Sequence, residues 1–320
     1  MVTTSIAPLG PFDLVTSSSF LCGFTPAAGT SGVDADGKLV LGFLADGGFE
    51  PTVAAARVEG GVVRIDAESE AVASQLGRVL SLDHDATPLA ALGARDPVIA
   101  AQLRRRPGFR PVVFPSPYEA AVWGVLAQRT SMAVAASVRR KMSEATGAVV
   151  TGFGRTFFPA PAPKKLLAVK SFPGVSEEKL LRMHGVARAA LEGKLDPQVL
   201  RALPEERALD QLERLRGVGA WTARHVLYRG CGVADAVPTV EPRFLGAVGS
   251  AFGLGRPATA AEAGRLAEAW RPLRMWVAIL LVWNLGNFSG SRASKGNALP
   301  RREGSPPGAH RGSRQEPVVD

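Results

Sequence analysis

Cysteine and histidine are both scarce in this chain of 320 residues. A disulfide framework or an iron–sulfur cluster needs several cysteines, and a zinc site needs cysteines or histidines at short spacings. The chain has only two cysteines, far apart, and four scattered histidines: Cys22, Cys231, His84, His184, His225 and His310. We therefore expect a reducing compartment and neither a catalytic metal nor a redox cofactor.

Long apolar segments are also missing. The longest apolar run, residues 276–283, is much shorter than the roughly 20 residues that cross a bilayer. The N-terminus has no charged segment followed by an apolar stretch, which is the pattern of a secretory signal. These absences predict a cytoplasmic protein without a membrane partner.

Charge and hydrophobic content indicate the broad class of protein and of its partners. The formal net charge is +9 and the isoelectric point is about 10.1, which favours polyanionic partners but does not by itself identify nucleic acid. The basic run at 104–106 is typical of a solvated face, and contact with a phosphate backbone is its alternative. Hydrophobic residues make up 46% of the chain, enough for a sizeable core, and the length predicts two domains.

Patterning divides the chain into three parts. Residues 1–85 are expected to form a small α+β domain, with antiparallel strands over 38–45, 52–58 and 61–67 and a helix over 69–80. Residues 86–288 are expected to form an all-α domain, in which residues 116–119 have the pattern of a capping box. Glycine, serine, proline and arginine dominate after residue 287, which predicts a disordered tail over 289–320.

The most informative segment is 215–223, Leu-Arg-Gly-Val-Gly-Ala-Trp-Thr-Ala. Apolar residues at helical spacing precede it and helical patterning resumes at Trp221, which predicts two helices joined by a tight glycine turn. Gly217 and Gly219 would let backbone N–H groups approach an anion at the positive start of a helix. Such a turn can hold a DNA phosphate without reading base sequence. The structural alternative is a helical corner whose glycines only allow close packing.

The α+β start, the helical body, the glycine hairpin and an acidic residue downstream together resemble the helix-hairpin-helix DNA glycosylases. Among these, the chain resembles the 3-methyladenine DNA glycosylase II (alkylbase DNA glycosylase) family. The resemblance covers roughly residues 8–286. Besides the hairpin, it includes Pro-Phe-Asp at 11–13, Phe-Pro-Ala-Pro at 158–161, Ala-Ala-Leu-Glu-Gly at 189–193 and Trp-Arg-Pro-Leu-Arg at 270–274.

The resemblance implies a set of DNA contacts. Members of the family hold a phosphate with hairpin amides, commonly with a bridging monovalent cation, and this also implies nucleoid association and a monomer on duplex DNA. They also push a side chain from a loop between two early helices into the gap left by the extruded base. The positions of this chain that match these contacts are Gly217, Val218, Gly219 and Thr222 at the hairpin and Gln128 and Arg129 in the loop.

The resemblance also implies the catalytic carboxylate. The family has an aspartate, then a proline, then the catalytic aspartate, and in this chain the last position is Glu241. Breaking a glycosidic bond builds positive charge on the deoxyribose, which a carboxylate stabilises. The extra methylene of glutamate moves the carboxylate by roughly 1 Å, a displacement that can cost ~10²-fold in rate. Asp235 is the reserve candidate, which the resemblance places as a structural residue of the loop.

The base pocket of this family is aromatic and attracts bases made cationic by alkylation. The matching positions are Trp221 and His225, and Trp283 is assigned to the pocket from the C-terminal helix, with core packing as its alternative. Bifunctional relatives that also cut the strand have a lysine at the position of Trp221. Because tryptophan cannot form a Schiff base, the chain is predicted to remove bases without lyase activity.

Three other functions stay open on the sequence. The first is a DNA-damage-binding protein of the same fold without excision, since glutamate replaces the catalytic aspartate. The second is a glycosylase for deaminated or oxidised bases. The third is a helical interaction scaffold that does not bind DNA.

Overall fold

The computed structural model describes residues 1–286. Its five N-terminal strands are β1 (Val2–Ile6), β2 (Ser31–Val33), β3 (Leu39–Leu44), β4 (Pro51–Glu59) and β5 (Val62–Ala67). They form one antiparallel sheet in the order β1-β5-β4-β3-β2. Two helices accompany the sheet, α1 (Leu14–Gly23) and α2 (Glu70–Val79), and the Ser69 side chain caps α2 by accepting from the Val72 N–H at 3.3 Å.

The rest of the described chain is mostly helical, with short Pro- and Gly-containing connections. One further hairpin interrupts it, formed by β6 (Val150–Gly152) and β7 (Arg155–Phe157). The helices are α3 (Thr87–Arg95), α4 (Pro97–Arg105), α5 (Pro117–Leu126), α6 (Met132–Thr146), α7 (Pro163–Ala168), α8 (Glu177–Leu191), α9 (Pro197–Ala202), α10 (Glu205–Glu213), α11 (Ala220–His225), α12 (Pro242–Ala251), α13 (Ala260–Glu268) and α14 (Arg274–Asn284). A π-helix, Val226–Gly230, continues α11.

This architecture confirms the α+β start followed by a helical body. The three expected strands and the helix after them lie where the sequence placed them, whereas β1, β2 and α1 were not predicted as separate elements. The β6–β7 hairpin covers one face of the sheet, where Phe157 packs with Val40 and Ala55. Every residue of β3 is therefore buried, which explains its continuous apolar sequence.

One contiguous core runs from the sheet into the helical part. Phe20 of α1, for example, packs edge-on against Trp283 of α14, with ring centroids 5.1 Å apart. The domain boundaries at 85 and 288 stay predictions, and the expected tail at 289–320 lies outside the described residues. Within residues 1–286, no helix has the length and hydropathy of a membrane span.

The capping box expected at 116–119 is only half formed, which corrects the sequence interpretation. The Ser116 hydroxyl accepts from the Glu119 N–H at 3.1 Å, as the pattern predicts. The Glu119 carboxylate, however, turns into the core and accepts from the N–H groups of Ala160 and Leu44, at 3.3 and 3.5 Å. Burial raises the pKa of Glu119 to about 7. Because its carboxylate accepts from the N–H of Leu44 in β3, this side chain ties α5 to the sheet and does not cap its own helix.

Candidate functional site

A tight turn at 214–219 joins α10 to α11. Gly217 has φ 90°, a left-handed conformation that favours glycine, and a Cβ there would lie 2.4 Å from the Cβ of Arg182 on α8. Gly219 has φ −91° and precedes α11, and a Cβ there would meet no atom within 4 Å. The turn therefore packs tightly against α8 at Gly217. At Gly219, at the amino end of α11, it faces open space.

Two hairpin residues assigned to DNA binding have other roles in the fold. The Val218 side chain is only 4% exposed, and its N–H donates to the Leu215 carbonyl at 3.0 Å, so this amide is not free for an anion. The Thr222 side chain is also 4% exposed and lies against Gly124 of α5. These two side chains therefore fasten the hairpin to the core, and the assignment of Val218 and Thr222 to DNA binding stays a prediction that could rest only on their backbone.

The loop between α5 and α6 lies beside the hairpin. The Gln128 amide donates to the Gly217 carbonyl at 3.3 Å and accepts from the Arg182 guanidinium at 2.6 Å. The Lys179 ammonium of α8 donates to the Leu126 carbonyl at 3.0 Å and to the Thr130 hydroxyl at 2.5 Å. Helix α8 thus holds both the loop and the hairpin, and Gln128 bridges them.

Arg129 stands at the tip of this loop. Its φ is 50°, an uncommon conformation for a residue other than glycine, and its side chain is exposed. Strained backbone of this kind clusters at functional sites, where the surrounding structure holds it. The hydrogen bonds from α8 on either side of Arg129 supply that support.

A cavity of about 510 Å³ opens next to the hairpin and this loop. Most of its wall is apolar, and a smaller number of polar groups interrupt it, as in many ligand sites. The wall is formed by α5 and its loop, by α11 and the π-helix, by α14 and by the segment that enters α12. The lining residues are Phe24, Pro26, Trp123, Gly124, Ala127, Gln128, Met132, Trp221, Arg224, His225, Tyr228, Arg229, Pro238, Val240, Glu241, Arg243, Phe244, Met275, Ala278, Ile279 and Val282.

The sequence-predicted Trp221, His225 and Glu241 come together in this cavity. The Trp221 ring stacks on the His225 ring, with centroids 5.1 Å apart and planes 8° apart. The Trp221 indole N–H donates to the Glu241 carboxylate, at 3.0 Å from Nε1 to Oε2. An aromatic wall on α11 and a carboxylate at the amino end of α12 are therefore adjacent.

His225 is an uncharged member of this group. The ring lies edge-on to Phe114, with centroids 5.1 Å apart, and its Nε2 is buried without a hydrogen-bond partner among the described residues. Burial, assisted by the nearby Arg229 guanidinium, lowers the pKa of His225 to about 3. At neutral pH this side of the cavity therefore presents a neutral imidazole.

Asp235, the reserve candidate, does not line the cavity. Its carboxylate accepts from Arg274 at 2.6 Å and from Arg271 at 3.0 Å, and Arg274 also donates to its backbone carbonyl at 3.3 Å. These bonds fix the segment between the π-helix and α12 to the start of α14. The arrangement is that of a structural residue that shapes the loop leading to Glu241.

The assignment of Trp283 to the pocket is wrong. Its ring packs against Phe20 and Phe109, and the Arg106 guanidinium lies 3.9 Å from the ring centroid. It does not line the cavity, whereas its neighbour Val282 does. Trp283 belongs to the core between α1, α4 and α14.

Several pocket residues were not predicted from the sequence. Phe24 and Trp123 come from distant segments and carry no local motif, so no sequence signal distinguishes them from core residues. Arg229 is a half-buried cation whose guanidinium lies 5.4 and 5.1 Å from the ring centroids of Phe20 and Phe24. Burial lowers the pKa of Arg229 to about 10. It belongs to the π-helix, a rare element that is frequent at functional sites.

Among residues 1–286, no cluster of three or more His, Cys, Asp or Glu side chains could hold a metal ion. The monovalent cation implied at the hairpin stays a prediction.

Comparisons with known proteins agree with this geometry. No family model matches the chain. The DNA-3-methyladenine glycosylase of Bacillus subtilis is 26% identical over 224 residues, which cover 68% of this chain and 72% of that protein. The DNA-3-methyladenine glycosylase 2 of Escherichia coli is 29% identical over 188 residues, which cover 56% of this chain and 61% of that protein. A solved 3-methyladenine DNA-glycosylase from Archaeoglobus fulgidus superposes with a TM-score of 0.72 at 19% identity, over 90% of this chain and 100% of that one.

The chain resembles the 3-methyladenine DNA glycosylases. Its small antiparallel sheet followed by a helical body shares the fold of the solved Archaeoglobus fulgidus protein. In this glycosylase-like fold, the hairpin, the Arg129 loop and the cavity with Glu241 lie next to each other. The aligned segment covers under two thirds of the Escherichia coli protein.

Proposed function

We propose that the chain is a DNA glycosylase that excises alkylated purines, of the 3-methyladenine or 7-methylguanine type, from duplex DNA in base excision repair. The observation that carries the proposal is the position of the Glu241 carboxylate, in an aromatic cavity next to the glycine hairpin. The names of the two curated relatives support the same activity. A purely structural corner would not need a cavity of about 510 Å³ beside it.

The first step is binding of the damaged strand. The open side of Gly219 gives a phosphate access to the amino end of α11, where backbone N–H groups and the helix dipole favour an anion. The exposed Arg129, on its supported loop, is placed to fill the gap that an extruded nucleotide leaves in the duplex. These contacts carry no base-sequence information, which suits an enzyme that searches for damage.

The second step is recognition of the extruded base. An alkylated purine of this type carries a positive charge, which the faces of Trp221 and of the other aromatic side chains attract. The neutral state of His225 adds no further positive charge to a wall that Arg224 and Arg229 also line. A normal, uncharged purine gains less from these contacts, so the cavity selects bases that are already good leaving groups.

The third step breaks the bond between the base nitrogen and the sugar C1′. The electron pair of that bond leaves with the base, which neutralises its charge, and positive charge develops on the deoxyribose. The Glu241 carboxylate stabilises this charge and orients a water molecule, whose oxygen bonds to C1′ while its proton passes to the carboxylate and then to solvent. The products are a free base and an abasic site.

Lyase activity is not part of this proposal. A lyase reaction of the Schiff-base type needs an amine next to the sugar C1′. Trp221 has no amine to offer, and none of the residues that line the cavity is a lysine. The proposed enzyme therefore leaves the abasic strand intact.

The test is release of free bases from alkylated duplex DNA, identified by mass spectrometry. The wild-type chain should release 3-methyladenine or 7-methylguanine and leave the strand uncut, and Glu241→Gln should lower the rate by ~10²-fold or more with DNA binding retained. Glu144→Gln, an exposed carboxylate outside the cavity, is the matched control. Binding without release by the wild type would support the damage-binding alternative, and release of deaminated or oxidised bases only would reassign the lesion.

A further inference from the structure

The contact between Trp221 and Glu241 joins α11 to the start of α12, 20 residues further along the chain. Helix α12 begins with Pro242, and Glu241 is its N-cap residue, yet the carboxylate makes no capping hydrogen bond to that helix. Instead it accepts from the Trp221 indole N–H at 3.0 Å. Within the described residues, this is the single hydrogen bond that fixes the direction of the Glu241 side chain.

The indole itself is held by ring stacking. Its ring stacks on His225, which in turn is fixed edge-on against Phe114. Trp221 is nevertheless 51% exposed and lines the cavity. The stack therefore sets the plane of the indole, and the plane sets where its N–H points.

Glutamate has three side-chain torsions before its carboxylate, one more than aspartate. An unrestrained glutamate in an open cavity would spread over several rotamers, and only some of them suit the reaction. The additional methylene also extends the carboxylate by roughly 1 Å, a distance that matters at a reacting centre. A donor at a fixed position can offset both effects, because it selects one placement of the carboxylate.

We infer that Trp221 is a positioning residue for Glu241. The Trp221 indole N–H donates to Oε2 of Glu241, and this leaves Oε1 of the same carboxylate to face the deoxyribose and the attacking water. This inference rests on the proposed glycosylase function and adds to the base-stacking role of Trp221. The two roles separate by chemistry, because phenylalanine can stack on a base but cannot donate to the carboxylate.

The experiment compares Trp221→Phe with wild type in single-turnover excision from a duplex with one alkylated purine. We expect Trp221→Phe to lower the excision rate by ~10-fold, with the affinity for the same duplex changed less than twofold. Trp276→Phe, at a core position outside the cavity, is the matched control, and thermal melting checks that each variant folds. An excision rate equal to wild type in a folded Trp221→Phe variant would overturn the inference.

A second measurement needs neither DNA nor activity. In protein labelled with ¹⁵N-tryptophan, the indole signal lost in Trp221→Phe identifies the Trp221 N–H, and Glu241→Gln should shift that signal because the charged acceptor is gone. A signal that Glu241→Gln leaves in place would contradict the contact. An inactive wild-type protein would refute the proposed glycosylase function, but the indole signal would still report the contact between Trp221 and Glu241. Failure of the proposed function and failure of this inference are therefore distinguishable.

Discussion

At the residue scale, the site depends on which side chains are charged. Glu241 has a hydrogen-bond donor and access to the cavity, whereas Asp235 is held by two arginines. His225 is kept neutral by burial and by Arg229. The cavity therefore has one carboxylate, Glu241, beside aromatic rings and a neutral imidazole, and three arginines, Arg224, Arg229 and Arg243, also line it.

The state of His225 predicts a pH dependence of stability. In the unfolded chain His225 binds a proton below about pH 6.5, but in the fold its pKa is about 3. Between these values the unfolded state takes up the extra proton, so stability falls as the pH falls, by up to about 1.4 kcal/mol per pH unit.

Replacing the histidine should remove this contribution. When the pH is lowered from 6.5 to 5, the free energy of unfolding of His225→Phe should fall by about 2 kcal/mol less than that of wild type. The measurement is urea unfolding at each pH. His310→Phe, outside the described residues, is the control for a general effect of losing a histidine. Parallel pH curves for His225→Phe and wild type would show that His225 titrates normally in the fold.

Several residues of the candidate site could be predicted from the sequence. Glu241, Trp221 and His225 were found because they match positions of the glycosylase family that the chain resembles, and the structure brings them into one cavity. Trp283 was misplaced because α14 is buried on nearly every side, so its sequence does not indicate which face meets the cavity. Val218 and Thr222 were assigned because they match hairpin positions of the family, and the sequence did not indicate that their side chains pack inward.

At the element scale, the hairpin and the Arg129 loop form one unit on α8. Gln128 links the Gly217 carbonyl to Arg182, and Lys179 fastens the loop from the same helix. No local pattern in 126–130 or 177–182 indicates these bonds, because they depend on how three elements meet. Helix α1 was missed for a local reason, since its Thr-Ser-Ser-Ser run reads as a turn rather than a helix.

The two hairpin glycines should respond differently to alanine. Gly217→Ala forces φ 90° on a residue with a side chain and brings its Cβ to 2.4 Å from Arg182, so it should lower the free energy of unfolding by about 1–3 kcal/mol. Gly219→Ala meets open space at φ −91°, so stability should change by less than about 0.5 kcal/mol. A methyl group there would nevertheless obstruct the approach of a phosphate.

The measurements are urea unfolding and duplex binding at one fixed salt concentration. Gly219→Ala should weaken duplex binding by ~10-fold or more while it folds like wild type. Gly264→Ala, in α13 and also facing open space, is the matched control and should bind as wild type does. Normal binding by Gly219→Ala would exclude the hairpin from the DNA interface.

At the scale of the whole molecule, the sheet and the helices share one core, so the cavity is assembled from segments spread over most of the chain. Phe24 precedes the sheet hairpins, Trp123 lies in α5, Glu241 stands at α12 and Ile279 lies in α14. Motifs could identify the hairpin and the acidic segment, but the shape of the cavity is a property of the fold. A net charge of +9 adds a sequence-independent attraction for DNA.

The central claim is that this fold places the sugar of an extruded nucleotide against the Glu241 carboxylate. The most direct measurement compares the affinity for two duplexes, one with a positively charged cyclic amine in place of a deoxyribose and one with an uncharged cyclic ether there. Wild type should bind the charged analogue at least ~10-fold more tightly, and Glu241→Gln should bind both alike. Equal affinities of the wild-type protein for the two duplexes would contradict the account.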